Sequence, residues 1–217
     1  SAAMGLSDDL EKLVCELVAI ESVNPDLVPS GSGESKIAEF VASWLAAEGL
    51  AVQVVEPGPG RASVIGVLAG SGGGASLMLN AHMDTVGAGG MKDPFTPLAR
   101  EGRVYGRGAY DMKGSLAAIM IAAREAKKLK LRGDVIVAAV ADEEVASVGT
   151  SAVLKRVEAD AAIVTEPTEI RLCRAHKGFA GLQVETRGGA APGPRPGLGV
   201  QARAHRGRSR RGGLGRG

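Results

Sequence analysis

The chain has 217 residues, enough for one α/β domain of ordinary size and the beginning of a second. Its hydrophobic fraction of 45% supports a sizeable core, but aromatics make up only 3%, so Ala, Val, Leu and Gly must build it. The net charge of +2 hides an asymmetry: residues 187–217 hold eight of the 26 basic residues and none of the 24 acidic ones, which leaves an acidic body and excludes a basic nucleic-acid-binding domain in residues 1–186. No apolar run reaches membrane-spanning length and the N-terminus lacks a basic segment followed by an apolar one, so the expectation is a cytoplasmic protein without a membrane partner. Cys15 and Cys173 show no C-x-x-C spacing and lie in apolar stretches, which predicts buried thiols.

Ser7-Asp8-Asp9, followed by Leu10, Leu13, Val14, Leu17 and Val18, reads as a capped amphipathic helix ending before Asn24-Pro25. A second helix follows through Ile37, Phe40, Val41, Trp44 and Leu45, with Gly49 as its stop. Strands are predicted at 51–56 and 63–69, on either side of the turn Pro57-Gly58-Pro59-Gly60. Gly70 to Gly74 lacks the lysine and spacing of a phosphate loop and reads as a flexible turn. The apolar run Ser76–Ala81 leads to His82, and a loop over 87–99 follows. An Ala-rich helix is expected over 115–129, a buried strand over 135–141, a helix over 150–157 and a short strand over 161–165. This alternation predicts an α/β fold, a mostly parallel sheet with helices on both faces. Segments 172–175 and 178–186 resemble an antiparallel pair, as at the start of a smaller α+β domain. From Arg187 onward periodicity vanishes and the segment reads as disordered.

Three of these apolar runs end in metal-ligand chemistry: His82, the cluster Asp142-Glu143-Glu144, and Glu166. In an open parallel sheet, ligands bind at the carboxyl ends of the strands, so these residues would meet along one edge. Asp111 joins them, between a glycine-rich turn and a helix. One histidine and several carboxylates suit divalent ions, zinc foremost, with cobalt or manganese as substitutes. In His82-Met83-Asp84, residues two apart on an extended chain face the same way, so Asp84 can hold the imidazole's second nitrogen while the first binds metal. Each residue also has a bland reading. Asp111 is placed as a helix N-cap, Glu143 and Glu144 as a solvated turn, and Glu166 as a loop residue before Pro167; Asp142 reads as a turn residue.

The segments His82-Met83-Asp84-Thr85-Val86, Gly106 to Gly114, Asp142-Glu143-Glu144 and Thr165-Glu166-Pro167-Thr168 resemble, in order, the motifs of one metallopeptidase family. It contains acetylornithine deacetylase, succinyl-diaminopimelate desuccinylase, aminoacylase and carboxypeptidase G, and the resemblance covers about residues 7–186. The resemblance implies a two-zinc amidohydrolase acting on N-acyl amino acids or small peptides through a metal-activated water. His82 and Glu166 would bind one metal, Asp111 would bridge both, and Glu144 would bind the second. Asp84 would orient His82 and Glu143 would be the general base. A cis peptide after Asp111 and a homodimer are further implications. The expected division is a catalytic domain over 1–170, the start of a dimerisation domain over 171–186, and an Arg/Gly-rich tail over 187–217.

Two family features are missing. The second metal's histidine normally comes from late in a longer chain, and neither His176 nor His205 suits that role. Pro192 stands where relatives carry a substrate-holding histidine, and arginines occupy helix positions beyond it, as though a reading frame had been damaged. The alternatives are therefore a truncated, non-catalytic remnant and, more distantly, RNA binding through the Arg/Gly tail.

Overall fold

The computed structural model describes residues 2–174. In chain order the elements are α1 (Ala2–Ala19), α2 (Ser35–Ala47), β1 (Ala51–Val55), β2 (Ser63–Leu68), β3 (Leu77–His82), β4 (Leu98–Arg100), β5 (Arg103–Tyr105), α3 (Gly114–Ala126), β6 (Val135–Val140), α4 (Val148–Val153) and β7 (Ala161–Val164). A five-stranded sheet has the order β1-β2-β6-β3-β7. Its interior and far edge, β6-β3-β7, are parallel, whereas β1 and β2 run antiparallel to their neighbours. The α/β class and the parallel core stand as expected, with an antiparallel margin added.

The centre of the sheet is β6, all six of whose residues are buried. Val135, Val137 and Ala139 face one core with Leu17, Val41, Leu45 and Leu116 from α1, α2 and α3. Ile136, Ala138 and Val140 face a second core with Ile65, Met78 and Val153. Burial on both faces explains why the strand reads as an unbroken apolar run rather than an alternating one. α2 ends in a Schellman turn: Gly49 N–H donates to Ala46 O (2.9 Å) and Leu50 N–H to Leu45 O (3.1 Å), with Gly49 at φ 83°. Leu50 and Leu45 are both buried beside it, so the turn is closed by an apolar contact as well.

Several expectations are corrected. α1 begins at Ala2, ahead of the predicted cap at Ser7, and α3 stops at Ala126 rather than at 129. α4 lies two to four residues earlier than predicted. The loop over 87–99 runs into a hairpin, β4–β5, turned by Glu101 (φ 55°) and Gly102 (φ 71°). Positive φ at both central residues is the geometry of a tight hairpin, but Glu in the first position hides the signal. Leu172 to Arg174 form no strand and are exposed. Cys15 is partly buried and Cys173 exposed, both free, so the buried-thiol expectation fails for Cys173. The predicted strand over 178–186, the tail, His176, Pro192 and His205 lie outside the described residues.

Candidate metal centre

Strand register brings the site together. His82 pairs with Val140 on one side of β3, and Asn80 pairs with Val164 on the other. Two residues further along, Asp142 comes level with Asp84, and Glu166 with His82. The segment before the polar loop lies beside this exit: Thr85 N–H donates to Ser22 O (3.0 Å) and Asn24 N–H to Thr85 O (2.9 Å). Asn24 is thereby set against Asp84, to whose Oδ2 it donates from Nδ2 at 2.8 Å.

His82 is 1% exposed. Its Nδ1 lies 2.9 Å from the Asp84 carbonyl oxygen and 3.5 Å from Asp84 Oδ1. Both groups only accept, so Nδ1 carries a proton, which leaves Nε2 as the nitrogen that a metal could take once its own proton is displaced. Nε2 faces Asp111 Oδ1 at 3.1 Å, Glu166 Oε1 at 3.7 Å and Glu143 Oε2 at 3.8 Å. Burial lowers the His82 pKa, but the Asp84 hydrogen bond and the charges of Asp84, Glu166 and Glu143 outweigh it and bring it to about 9.

Asp111 projects from a kinked turn, Ala109–Lys113, in which its own backbone is extended (φ −125°, ψ 99°) and its peptide to Met112 is cis. The N-cap reading fails. The residue before α3 is Lys113, no side chain caps the helix, and the Asp111 carboxylate faces His82 instead. The turn opens at Gly108 (φ 80°), where a Cβ would stand 2.7 Å from Thr85 Cγ2, so the left-handed backbone and the close packing both require glycine. Lys113 locks its other end. Fully buried, it donates from Nζ to Ile20 O (2.6 Å), just past the carboxyl end of α1, where a cation is favoured. Burial pulls its pKa down to about 7, with Glu21 opposing.

Asp142 to Glu144 are more than a solvated turn, although the Glu143 side chain is exposed. Asp142 is 1% exposed and its carboxylate pairs with the Arg61 guanidinium. Glu143 and Glu144 donate their N–H groups to the two Asp84 carboxylate oxygens, at 3.0 and 3.2 Å. Hydrogen bonds from His82, Asn24 and Glu143 hold the Asp84 carboxyl below its usual range, against the upward push of burial.

All six residues singled out in the sequence therefore converge. Ligand atoms of His82, Asp111 and Glu144 lie within 4.8 Å of one another, and so do those of His82, Glu143 and Glu166. Donors on a tetrahedral zinc, at about 2.0–2.1 Å from the ion, stand roughly 3.4 Å apart, so the spacing and the N/O chemistry fit a divalent metal. Burial raises the pKa of Glu166 to about 6 and raises that of Glu144 as well, with neighbouring carboxylates adding and His82 opposing. A divalent cation would relieve that crowding. Asn24, Glu34, Arg61 and Lys113, which hold this arrangement, are the residues that reading the sequence missed.

Residues 78–192 match Peptidase family M20/M25/M40. The chain belongs to this family. Among solved structures, human carnosine dipeptidase 1 is similar at a TM-score of 0.64 and 23% identity, over 74% of this chain and 38% of that one. An aminopeptidase from Bacillus cereus gives 0.60 at 23% identity, over 74% and 43%, and a tripeptidase from Staphylococcus aureus gives 0.59 at 23%, over 74% and 43%. These likenesses establish a shared α/β fold. The chain spans 38% to 43% of the length of these structures. Among the described residues no helix is long and apolar enough to cross a membrane.

Proposed function

We propose that this M20 chain carries the metal-binding half of a hydrolase that cleaves the amide bond of N-acyl amino acids or small peptides. The observation that carries the reading is the convergence of His82, Asp111, Glu143, Glu144 and Glu166 at metal-ligand spacing above a buried Asp84. His82 and Glu166 would hold one ion, Glu144 the second, and Asp111 would bridge them; zinc suits the donors best, and Co2+ or Mn2+ compete for them. Bound there, such ions supply Lewis acidity toward water and the scissile carbonyl. Asp84 would keep the proton on His82 Nδ1, so that Nε2 is the nitrogen left to bind when a metal displaces its proton. Glu143, with Oε2 3.8 Å from His82 Nε2, is placed to take a proton from the attacking water and return it to the departing amine. The names of the structural neighbours, a dipeptidase, a tripeptidase and an aminopeptidase, support small peptides as substrates. A catalytic domain over 1–170 with a dimerisation domain starting at 171, a homodimer and a cytoplasmic location belong to the same proposal.

The test is calorimetric titration of metal-free protein with zinc, alongside hydrolysis of acetyl-amino-acid and dipeptide panels. At least one tight site is expected. Glu143→Gln should retain zinc while losing about 10²- to 10⁴-fold in turnover. No tight site at all refutes the proposal. A second reading, a metal-binding remnant without turnover, is favoured by one observation: both ligand trios share the same histidine, His82. Tight zinc without hydrolysis of any panel member would select it.

A further inference from the structure

The turn that carries Glu143 and Glu144 leaves β6 through Asp142 at φ 63°, a left-handed conformation that a non-glycine residue holds only when its surroundings enforce it. The enforcement is visible. Three successive backbone N–H groups point into buried carboxylates: Asp142 to Glu34 Oε1 (3.2 Å), Glu143 to Asp84 Oδ1 (3.0 Å) and Glu144 to Asp84 Oδ2 (3.2 Å). The Asp142 side chain is fastened in turn. Its Oδ1 accepts from Arg61 Nη2 and from Asn24 Nδ2 (3.0 Å), and its Oδ2 accepts from Val148 N–H (3.3 Å).

Arg61 is central to this arrangement, although it comes from the distant β1–β2 turn. Besides Asp142, it donates from Nη1 to Asn24 Oδ1 (3.1 Å), and its Nε stands 3.3 Å from Glu34 Oε2 and its Nη1 3.5 Å from Asp26 Oδ2. Asn24 joins the two strand exits, because its amide nitrogen reaches both Asp84 and Asp142 while its oxygen accepts from Arg61 and from Asp26 N–H (3.0 Å). Neither residue is among the ligand trios. Without the guanidinium, Glu34, Asp84 and Asp142 would be three buried carboxylates gathered around a turn whose own acids face a crowded site.

We propose that Arg61 and Asn24 are positioning residues that act through Asp142 and Asp84 to hold Glu143 and Glu144 at the metal centre. The inference rests on the metal reading given above. It assigns a role in the site to a residue 81 positions away from Asp142. Lysine could not replace Arg61, because one ammonium cannot match a planar fork that meets Asn24, Glu34 and Asp142 together.

The test is a double-mutant cycle in zinc affinity, titrating the metal-free chain and its Arg61→Met, Glu144→Gln and combined variants, with circular dichroism to verify folding. Arg61→Met should weaken zinc about 10- to 100-fold, as loss of an outer partner of a metal site does. The double variant should lose markedly less than the product of the two single losses, because Glu144 is already misplaced once Arg61 is gone. Unchanged affinity in Arg61→Met, or losses that multiply, would overturn the inference. Should Arg61→Met fail to fold, Asn24→Ser in the same cycle carries the same expectation. A wild-type chain that binds no zinc would overturn the proposed function itself, separately from any coupling.

Discussion

The two halves of the candidate metal centre solve opposite electrostatic problems. Its floor, Asn24, Glu34, Asp84 and Asp142, is at most 1% exposed, and its carboxylates are met by N–H groups, the Asn24 amide or the Arg61 guanidinium. Its rim, Asp111, Glu143 and Glu166, has side chains 50%, 43% and 35% exposed, which face one another and share a single imidazole. A buried carboxylate must be paired, whereas a half-exposed one can lean on water and tolerate its neighbours. On the proposed reading the difference divides the work: the floor would maintain geometry, and the rim would hold the cation.

The sharpest way to break this comparison is to damage the floor without changing its shape. Asp84→Asn leaves one oxygen where two carboxylate oxygens receive the N–H groups of Glu143 and Glu144, and sets an NH2 group against other donors. It also removes the charge that faces His82 Nδ1. Unfolding free energy from urea titration should fall by about 3–5 kcal/mol, the cost of breaking a buried charge network at one member. A loss below about 1 kcal/mol would show that the floor does not hold the site.

The same division decides what could be read from the sequence. The ends of β3, β6 and β7 were legible because continuous apolar runs stop at His82, Asp142 and Glu166, and parallel register then aligns those ends without further information. The rim could thus be listed before any geometry was known. Of the floor only Asp84 could, from its place two residues after His82. Asn24 looked like a helix end beside Pro25, and its partners lie 60 and 118 residues away. Asp142 looked like a turn acid because nothing local distinguishes a solvated carboxylate from one that meets Arg61. Lys113, fully buried, ran against the expectation that lysines stay in water, and only the approach of the carboxyl end of α1 explains it.

A smaller effect sharpens the floor's side through pH. Burial, with Asp84 adding and Arg61 opposing, raises the Glu34 pKa from its ordinary 4.5 to about 7. Between those values the folded chain keeps a proton that the unfolded chain has released, so this group's contribution to stability falls as pH rises. The slope is about 1.4 kcal/mol per pH unit, or about 3 kcal/mol over the whole window. Glu34→Gln retains an oxygen for Asp142 N–H and cannot ionise. Its unfolding free energy should therefore drop less than that of the wild type between pH 5 and pH 8, by about that amount. Parallel pH profiles for the two proteins would mean that Glu34 stays ionised throughout.

The smallest effect lies on the rim, and its sign is what matters. Glu166 is held near Glu143, Asp111 and Glu144 with His82 as its ion-pair partner. Glu166→Gln removes three repulsions and one attraction from a partly solvated position. The metal-free variant should therefore match or exceed the wild type in stability, within about 1 kcal/mol. Zinc should reverse the order. A ligand at 100 times its Kd stabilises a protein by about 2.7 kcal/mol, and a tenfold weaker site forfeits about 1.4 kcal/mol of that. Paired thermal unfolding with and without zinc would read the crossing directly. If Glu166→Gln is clearly less stable before zinc is added, the rim shares the floor's structural duty and the division between them fails.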